Sequence, residues 1–271
     1  MTLKICLSGA TGHVGQELIK GILNSSDLEL VSCLGFSTAG KRLQEVVGFP
    51  CPDLLIHRTV DEAVQHQSFD VLIDYTYPES VFQTITEGIR NKINCVIGTS
   101  GLSNAQYEKL DEEAHKYQVG VFGAGNFSIT AALMIYLSQI AAKYIPHWEI
   151  LDSSPDTKPD APSGTARELA YLLGKVRQPK NTIPPDQVHG DPSSRGAEFN
   201  GSQVHSIRVP GFYSTVETIF GLPGERVSIK HDSISYTPYV EGTLMAAKKV
   251  VTMKGLVRGM NDLLGLPSDL Q

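Results

Sequence analysis

A short apolar run, Lys4-Ile-Cys-Leu-Ser8, meets three spaced glycines in Gly9-Ala-Thr-Gly-His-Val-Gly15, and the helical stretch Gln16–Leu23 follows at once. This succession restricts the fold of the chain more than any other feature. Strand, glycine turn and helix form the context that a dinucleotide fingerprint requires. Glycine lets the backbone approach a pyrophosphate, and the first amides of the helix, at the positive end of its dipole, receive the negative charge. The GxxGxxG spacing is weak evidence alone and gains weight from its place on the first strand.

The alternation continues. Leu28–Leu34, Asp70–Tyr75, Asn94–Ile97 and Val119–Phe122 read as further strands. Pro78 opens a helix running to about Asn91, where its missing N–H costs nothing. Ser103 and Gln106 make a capping box for a helix through Tyr117. The turns Gly98-Thr-Ser-Gly101 and Gly123-Ala-Gly-Asn-Phe-Ser128 stand at strand ends, where an open α/β sheet places its ligand. At the end of the second strand an NAD-selective site carries an acid; here the chain reads Gly35-Phe-Ser37-Thr38, with Lys41 and Arg42 beyond. The missing acid predicts NADPH in preference to NADH, with this polar and basic stretch available to a 2′-phosphate; plain solvated loop charges are the alternative for Lys41 and Arg42.

Beyond a helix over 128–143 the pattern changes. Trp148–Leu151 is a strand, and 176–202 is a polar segment rich in proline and glycine. Gln203–Arg208, Ser214–Phe220 and Arg226–Asp232 form an antiparallel pattern with turns at Pro210-Gly211 and Pro223-Gly224. Helices over Val240–Met253 and Leu256–Leu264 close the chain. The expected architecture is α/β: a Rossmann-like parallel-sheet domain (1–126 and 237–271) plus an inserted α+β domain (127–236) with a mostly antiparallel sheet. A chain of 271 residues has room for two modest cores.

Ahead of those later strands lies Lys158-Pro-Asp-Ala-Pro-Ser-Gly-Thr-Ala166. Pro162 keeps Ala161 out of helix, and Ser163 stands as N-cap of the helix that follows. Its first amides, with the Ser163 and Thr165 hydroxyls and Lys158, make a carboxylate or phosphate site; an ordinary capped helix is the plainer alternative. A net charge of −6 argues against nucleic acid or an anionic membrane as partner. The four cysteines lack CxxC pairing and suit reduced thiols in the cytoplasm; His189 and His205 have no metal-ligand spacing, so no metal is expected.

Four motifs in one order, GATGHVG, GTSG, AGNFS and KPDAPSGTA, resemble the dihydrodipicolinate reductase family over nearly the whole chain, and the last is the specific one. The resemblance implies an NADPH- or NADH-dependent reduction of a cyclic imine dicarboxylate in lysine and diaminopimelate biosynthesis, by a homotetramer. It implies that Gly9, Ala10, Thr11, Gly12, His13 and Val14 hold the pyrophosphate; Ser37, at the end of the second strand, is the cofactor candidate read from the missing acid. Gly98, Thr99 and Ser100 would lie along the nicotinamide and its ribose, close to Ala124, Gly125, Asn126 and Phe127. Lys158 would be the proton donor or the charge partner of the substrate. Ser163, Gly164, Thr165 and Ser100 would clamp a carboxylate.

Three positions depart from the family. Ser154 and Pro155 replace two adjacent histidines, Gly35 replaces the cofactor-site acid, and Tyr236 stands where an arginine is usual. A serine hydroxyl is a poor acid near neutrality, so Ser154 and Lys158 stand together as candidate catalytic groups. Asp152 and Asp156 are possible replacement acids that read more simply as solvated loop charges. Loss of a carboxylate contact keeps open another cyclic imine bearing a single carboxylate, and a silent NADP-binding protein is a further reading. Tyr171 and Lys175 match the YxxxK of short-chain dehydrogenases, although Tyr171 reads more naturally as a packing residue of its helix.

Overall fold

The computed structural model describes residues 2–267 and divides into two compact units: Met1–Ser128 with Tyr236–Leu264, and one built on Ile129–Ser235. The first unit begins with β1 (Leu3–Ser8), α1 (His13–Leu23), β2 (Leu28–Leu34), α2 (Leu43–Val47), β3 (Ile56–His57) and α3 (Val60–His66). It continues through β4 (Val71–Asp74), α4 (Pro78–Arg90), β5 (Asn94–Ile97), α5 (Asn104–Tyr117) and β6 (Gly120–Gly123). The second unit holds α6 (Ile129–Tyr144), β7 (His147–Ser154), α7 (Gly164–Val176), β8 (Ala197–Phe199), β9 (Ser202–Arg208), β10 (Ser214–Leu222) and β11 (Glu225–Ser233). The chain then returns to the first unit with α8 (Pro238–Val250), β12 (Gly255–Arg258) and α9 (Asn261–Leu264).

The sheet of the first unit is parallel throughout, in the order β12-β6-β5-β4-β1-β2-β3. Strands covered on both faces must be apolar throughout, and Ile5, Cys6, Leu7, Leu72, Ile73, Cys95 and Val96 are all buried. Val81, Ile85 and Ile89 of α4 recur at helical spacing and pack with Leu110 and Ala114 of α5 against Leu72, Cys95 and Ile97. The strand order reverses between β1 and β4, and such a switch point opens a crevice at the strand C-termini. Gly9 stands there with φ +84°, and a Cβ on it would lie 2.1 Å from the Tyr75 carbonyl oxygen, so only glycine fits.

In the second unit, α6 and α7 pack on a mixed sheet ordered β11-β10-β7-β9-β8. Trp148, Ile150, Val204, Val216 and Phe220 meet Met134, Leu169 and Leu173 there, and burying each such side chain stabilises by roughly 1.5–3 kcal/mol. The Trp148 indole donates to Ser202 Oγ at 2.9 Å, which satisfies its one polar atom.

Several expectations need correction. Strand β7 continues to Ser154, not Leu151: one row of its buried residues reads Trp148, Ile150, Asp152, Ser154, so the apolar alternation stops while the strand goes on. Strands β9 and β10 are not hairpin partners, because β7 lies between them and pairs parallel with β9. The Pro223-Gly224 turn does join the antiparallel β10–β11 hairpin. Leu256, Val257 and Arg258, read as helix, belong to β12 and extend the parallel sheet beside β6.

Candidate active site

The crevice of the first unit is a cavity of about 880 Å³. Gly9, Thr11, Gly12, His13 and Val14 line it from the start of α1, and Gly35, Phe36, Ser37 and Thr38 from the end of β2. Gly98, Thr99 and Ser100 line it from the end of β5. Most of the residues assigned to the cofactor thus share one cavity. Ala10 is fully buried and does not line it, and neither do Ala124, Gly125, Asn126 and Phe127. Phe127 instead packs its ring 5.9 Å from that of Phe122, while Asn126 Oδ1 accepts the Ser128 amide at 2.8 Å.

Sequence reading missed the wall formed by Tyr75, Thr76, Tyr77 and the start of α4. The available signal was the strand end itself, Asp74 to Pro78, at the switch point. Asp74 is buried below this wall; its Oδ1 accepts from Thr99 Oγ1 at 2.6 Å and from Thr76 Oγ1 at 2.8 Å. Burial pushes the Asp74 carboxyl above its ordinary value, and the hydroxyls of Thr99, Thr76 and Ser8 pull the other way. The network ties the turn after β4 to the turn after β5. Tyr75 adds a second tie: a Cβ on Gly98 would fall 2.1 Å from Tyr75 Cζ, so the absence of a side chain at Gly98 is what seats this ring. Tyr236 stacks on His13 at 5.0 Å with the planes 4° apart, which gives the cavity an aromatic edge.

The lining contains no lysine or arginine. Lys41 and Arg42 both stand away from it; Arg42 caps α2 and its guanidinium lies 3.8 Å from Asp53.

The second unit presents the other group of assigned residues. Ser163 caps α7, its Oγ accepting the Ala166 amide at 3.2 Å and its own amide donating to Asp152 Oδ2 at 2.8 Å. Ser163 is thus committed to the fold through both groups. Gly164 is exposed at the first helical position and Thr165 is largely buried. Lys158 Nζ lies 2.6 Å from Asp160 Oδ1 on the same loop. Burial of the Asp160 carboxyl is outweighed by that ammonium, which holds it below the usual carboxylate value.

Asp152 is a corrected residue. It is 1% exposed on β7, not a solvated loop charge, and Arg208 Nη2 lies 2.7 Å from its Oδ2. Ser154 is fully buried at the end of the same strand. Tyr171 also differs from its packing role: it is exposed, with Lys175 Nζ 4.4 Å from its ring centre. Leu169, Ala170 and Leu173 form the packed side of α7 instead. His205 Nε2 meets Glu149 Oε2 at 2.7 Å, and Glu149 also pairs with Arg195. Among the described residues no cluster of His, Cys, Asp and Glu could hold a metal ion, and no helix is long and apolar enough to cross a membrane.

A parallel sheet with a glycine-turned crevice at its switch point defines a nicotinamide-dinucleotide-dependent oxidoreductase, built with a second mixed-sheet domain. The family follows from comparison. Residues 3–127 match the model of the dihydrodipicolinate reductase N-terminus and residues 130–264 that of its C-terminus, and the chain belongs to this family. It is 34% identical over 264 residues to the 4-hydroxy-tetrahydrodipicolinate reductase of Syntrophomonas wolfei, covering 96% of this chain and 98% of that one. The enzyme of the same name from Listeria welshimeri is 32% identical over 262 residues, covering 97% and 100%. Dipicolinate-bound dihydrodipicolinate reductase from Paenisporosarcina sp. TG-14 superposes with a TM-score of 0.83 at 30% identity, over 97% of this chain and 99% of that one.

Proposed function

We propose that the protein reduces 4-hydroxy-tetrahydrodipicolinate to tetrahydrodipicolinate in lysine and diaminopimelate biosynthesis, with NADPH preferred over NADH. The observation that carries this reading is the Ser163-capped start of α7 with Lys158 on the loop before it, in a chain whose two halves both match the family. The cavity fits a dinucleotide by its own features: Gly9 leaves room for no side chain, and the amides opening α1 stand beside it. Gly9, Thr11, Gly12, His13 and Val14 would hold the pyrophosphate, and Gly98, Thr99 and Ser100 the nicotinamide end. When bound, the reduced nicotinamide supplies a hydride to the conjugated imine.

The chain's own residues bind, orient and protonate. The amides of Gly164 and Thr165 receive a substrate carboxylate at the helix start, reinforced by the dipole of α7. Lys158 supplies the second positive contact and is the proton donor we favour. Its ammonium is partly exposed and already hydrogen-bonded to a carboxylate on its loop, whereas Ser154 is enclosed and is a weak acid. Substrate carboxylate would take over the contact that Asp160 holds. A donor placed in this way contributes about 10²–10⁴-fold to rate. The working form is a cytoplasmic homotetramer, an assignment that sedimentation at micromolar concentration tests.

A second reading is favoured by Ser154 and Pro155: with no imidazole at those positions, a cyclic imine bearing a single carboxylate would lose no contact. Steady-state assays with both candidate substrates and both cofactors separate the two. Higher kcat/KM for 4-hydroxy-tetrahydrodipicolinate supports the first reading, and turnover of the monocarboxylate alone removes it.

A further inference from the structure

The cavity poses a charge problem. A 2′-phosphate on the adenosine ribose brings up to two negative charges, yet no lining residue is a lysine or arginine, and Glu79 is among them. The usual discriminating position is the end of the second strand, here Gly35. The sheet places a cation beside it. Strand β3 pairs with β2 in the register Cys33↔Ile56 and Leu34↔His57, and the Gly35 amide donates to the His57 carbonyl at 3.0 Å. Arg58 follows β3 directly, one residue beyond the His57 carbonyl that holds Gly35.

Arg58 is exposed, and its guanidinium carbon lies 4.0 Å from the centre of the Phe36 ring. Phe36 is itself 76% exposed and lines the cavity. A guanidinium stacked through its face keeps its N–H donors in the plane, directed outward. Among the described residues none takes a hydrogen bond or ion pair from this side chain. The nearby Glu62 carboxylate accepts the Arg58 backbone amide at 2.9 Å. Lys41, the rival cation, lies on the turn after Gly40; like Arg58 it is outside the lining itself, but it lacks the contact with a lining ring that Arg58 makes with Phe36.

We propose that Arg58, held on Phe36, recognises the 2′-phosphate and so sets the preference for NADPH over NADH. The proposal rests on the dinucleotide reading of this cavity. It makes Arg58 a specificity residue, acting at the adenosine end and not on the reacting atoms. A planar fork binds two phosphate oxygens at once, which lysine cannot copy.

The test is fluorescence titration of NADPH and of NADH, without substrate, into wild type, Arg58→Ala, Arg58→Lys and Lys41→Ala. The hydrogen bond that Arg58 makes within the fold comes from its backbone amide, so truncation leaves that bond in place and removes the side chain's contact with Phe36. The expected result is an NADPH affinity reduced about tenfold to a hundredfold in Arg58→Ala, partly recovered in Arg58→Lys, with NADH binding and the Lys41→Ala variant close to wild type. An unchanged NADPH-to-NADH ratio in Arg58→Ala, or the loss appearing in Lys41→Ala instead, overturns the assignment of Arg58 alone. Wild type that binds neither dinucleotide overturns the cofactor reading beneath it.

Discussion

Arg208 Nη2 lies 2.7 Å from Asp152 Oδ2, with the carboxylate sealed from solvent. The same guanidinium donates to the Asp160 carbonyl at 2.8 Å and to the Asp152 carbonyl at 3.1 Å. Asp152 in turn receives the Ser163 amide. One ion pair thereby fastens strands β7 and β9 to Asp160 and Ser163, on the α7 side of the loop that carries Lys158. Removing Arg208 leaves a buried carboxylate without its charge partner, so Arg208→Ala is expected to destabilise by about 3–5 kcal/mol. Urea unfolding followed by circular dichroism measures this, and a loss below 1 kcal/mol would mean that the pair is dispensable.

Gly98→Ala places a methyl group against the Tyr75 ring. Overpacking of this kind costs about 1–3 kcal/mol, and here the strain falls on a cavity wall. Weaker dinucleotide binding is expected together with a lowered melting temperature. In a Tyr75→Ala background the same Gly98→Ala change should cost little further stability, because the ring that clashes is gone.

The raised Asp74 carboxyl gives a pH signature. A carboxyl whose folded value lies above its unfolded value favours the folded state below the unfolded value, and that contribution is lost as pH rises through the folded value. Relative to Asp74→Asn, wild type should therefore lose stability as pH increases upward from about 4. Denaturant titrations of both proteins across pH 4–7 report the difference directly; parallel curves would contradict the assignment.

Tyr171→Phe should leave activity unchanged. Its ring carries Lys175 on an exposed face of α7, remote from the loop at the start of that helix by two turns. A large fall in kcat would revive the short-chain dehydrogenase reading.

Much of the fold was legible because the parallel strands are continuously apolar and end in glycine turns, as at Ser8-Gly9 and Ile97-Gly98. The capped start of α7 was legible through Ser163 and the prolines before it. Strand β7 was cut short because Asp152 and Ser154 occupy positions in the row that Trp148 and Ile150 begin. The Asp152 carboxylate is paired there with Arg208, which is more than fifty residues away in the chain. Leu256–Arg258 is too short for its periodicity to separate strand from helix. Arg58 and Tyr75 reach the cavity region through strand pairing and a glycine contact, neither of which local sequence announces.

The central claim concerns Lys158, and it is tested by NADPH oxidation with enzymatically generated 4-hydroxy-tetrahydrodipicolinate for wild type and Lys158→Ala. The account predicts turnover by wild type and a kcat about 10²–10⁴-fold lower in the variant, with NADPH affinity retained. Wild-type turnover that persists undiminished in Lys158→Ala would contradict it.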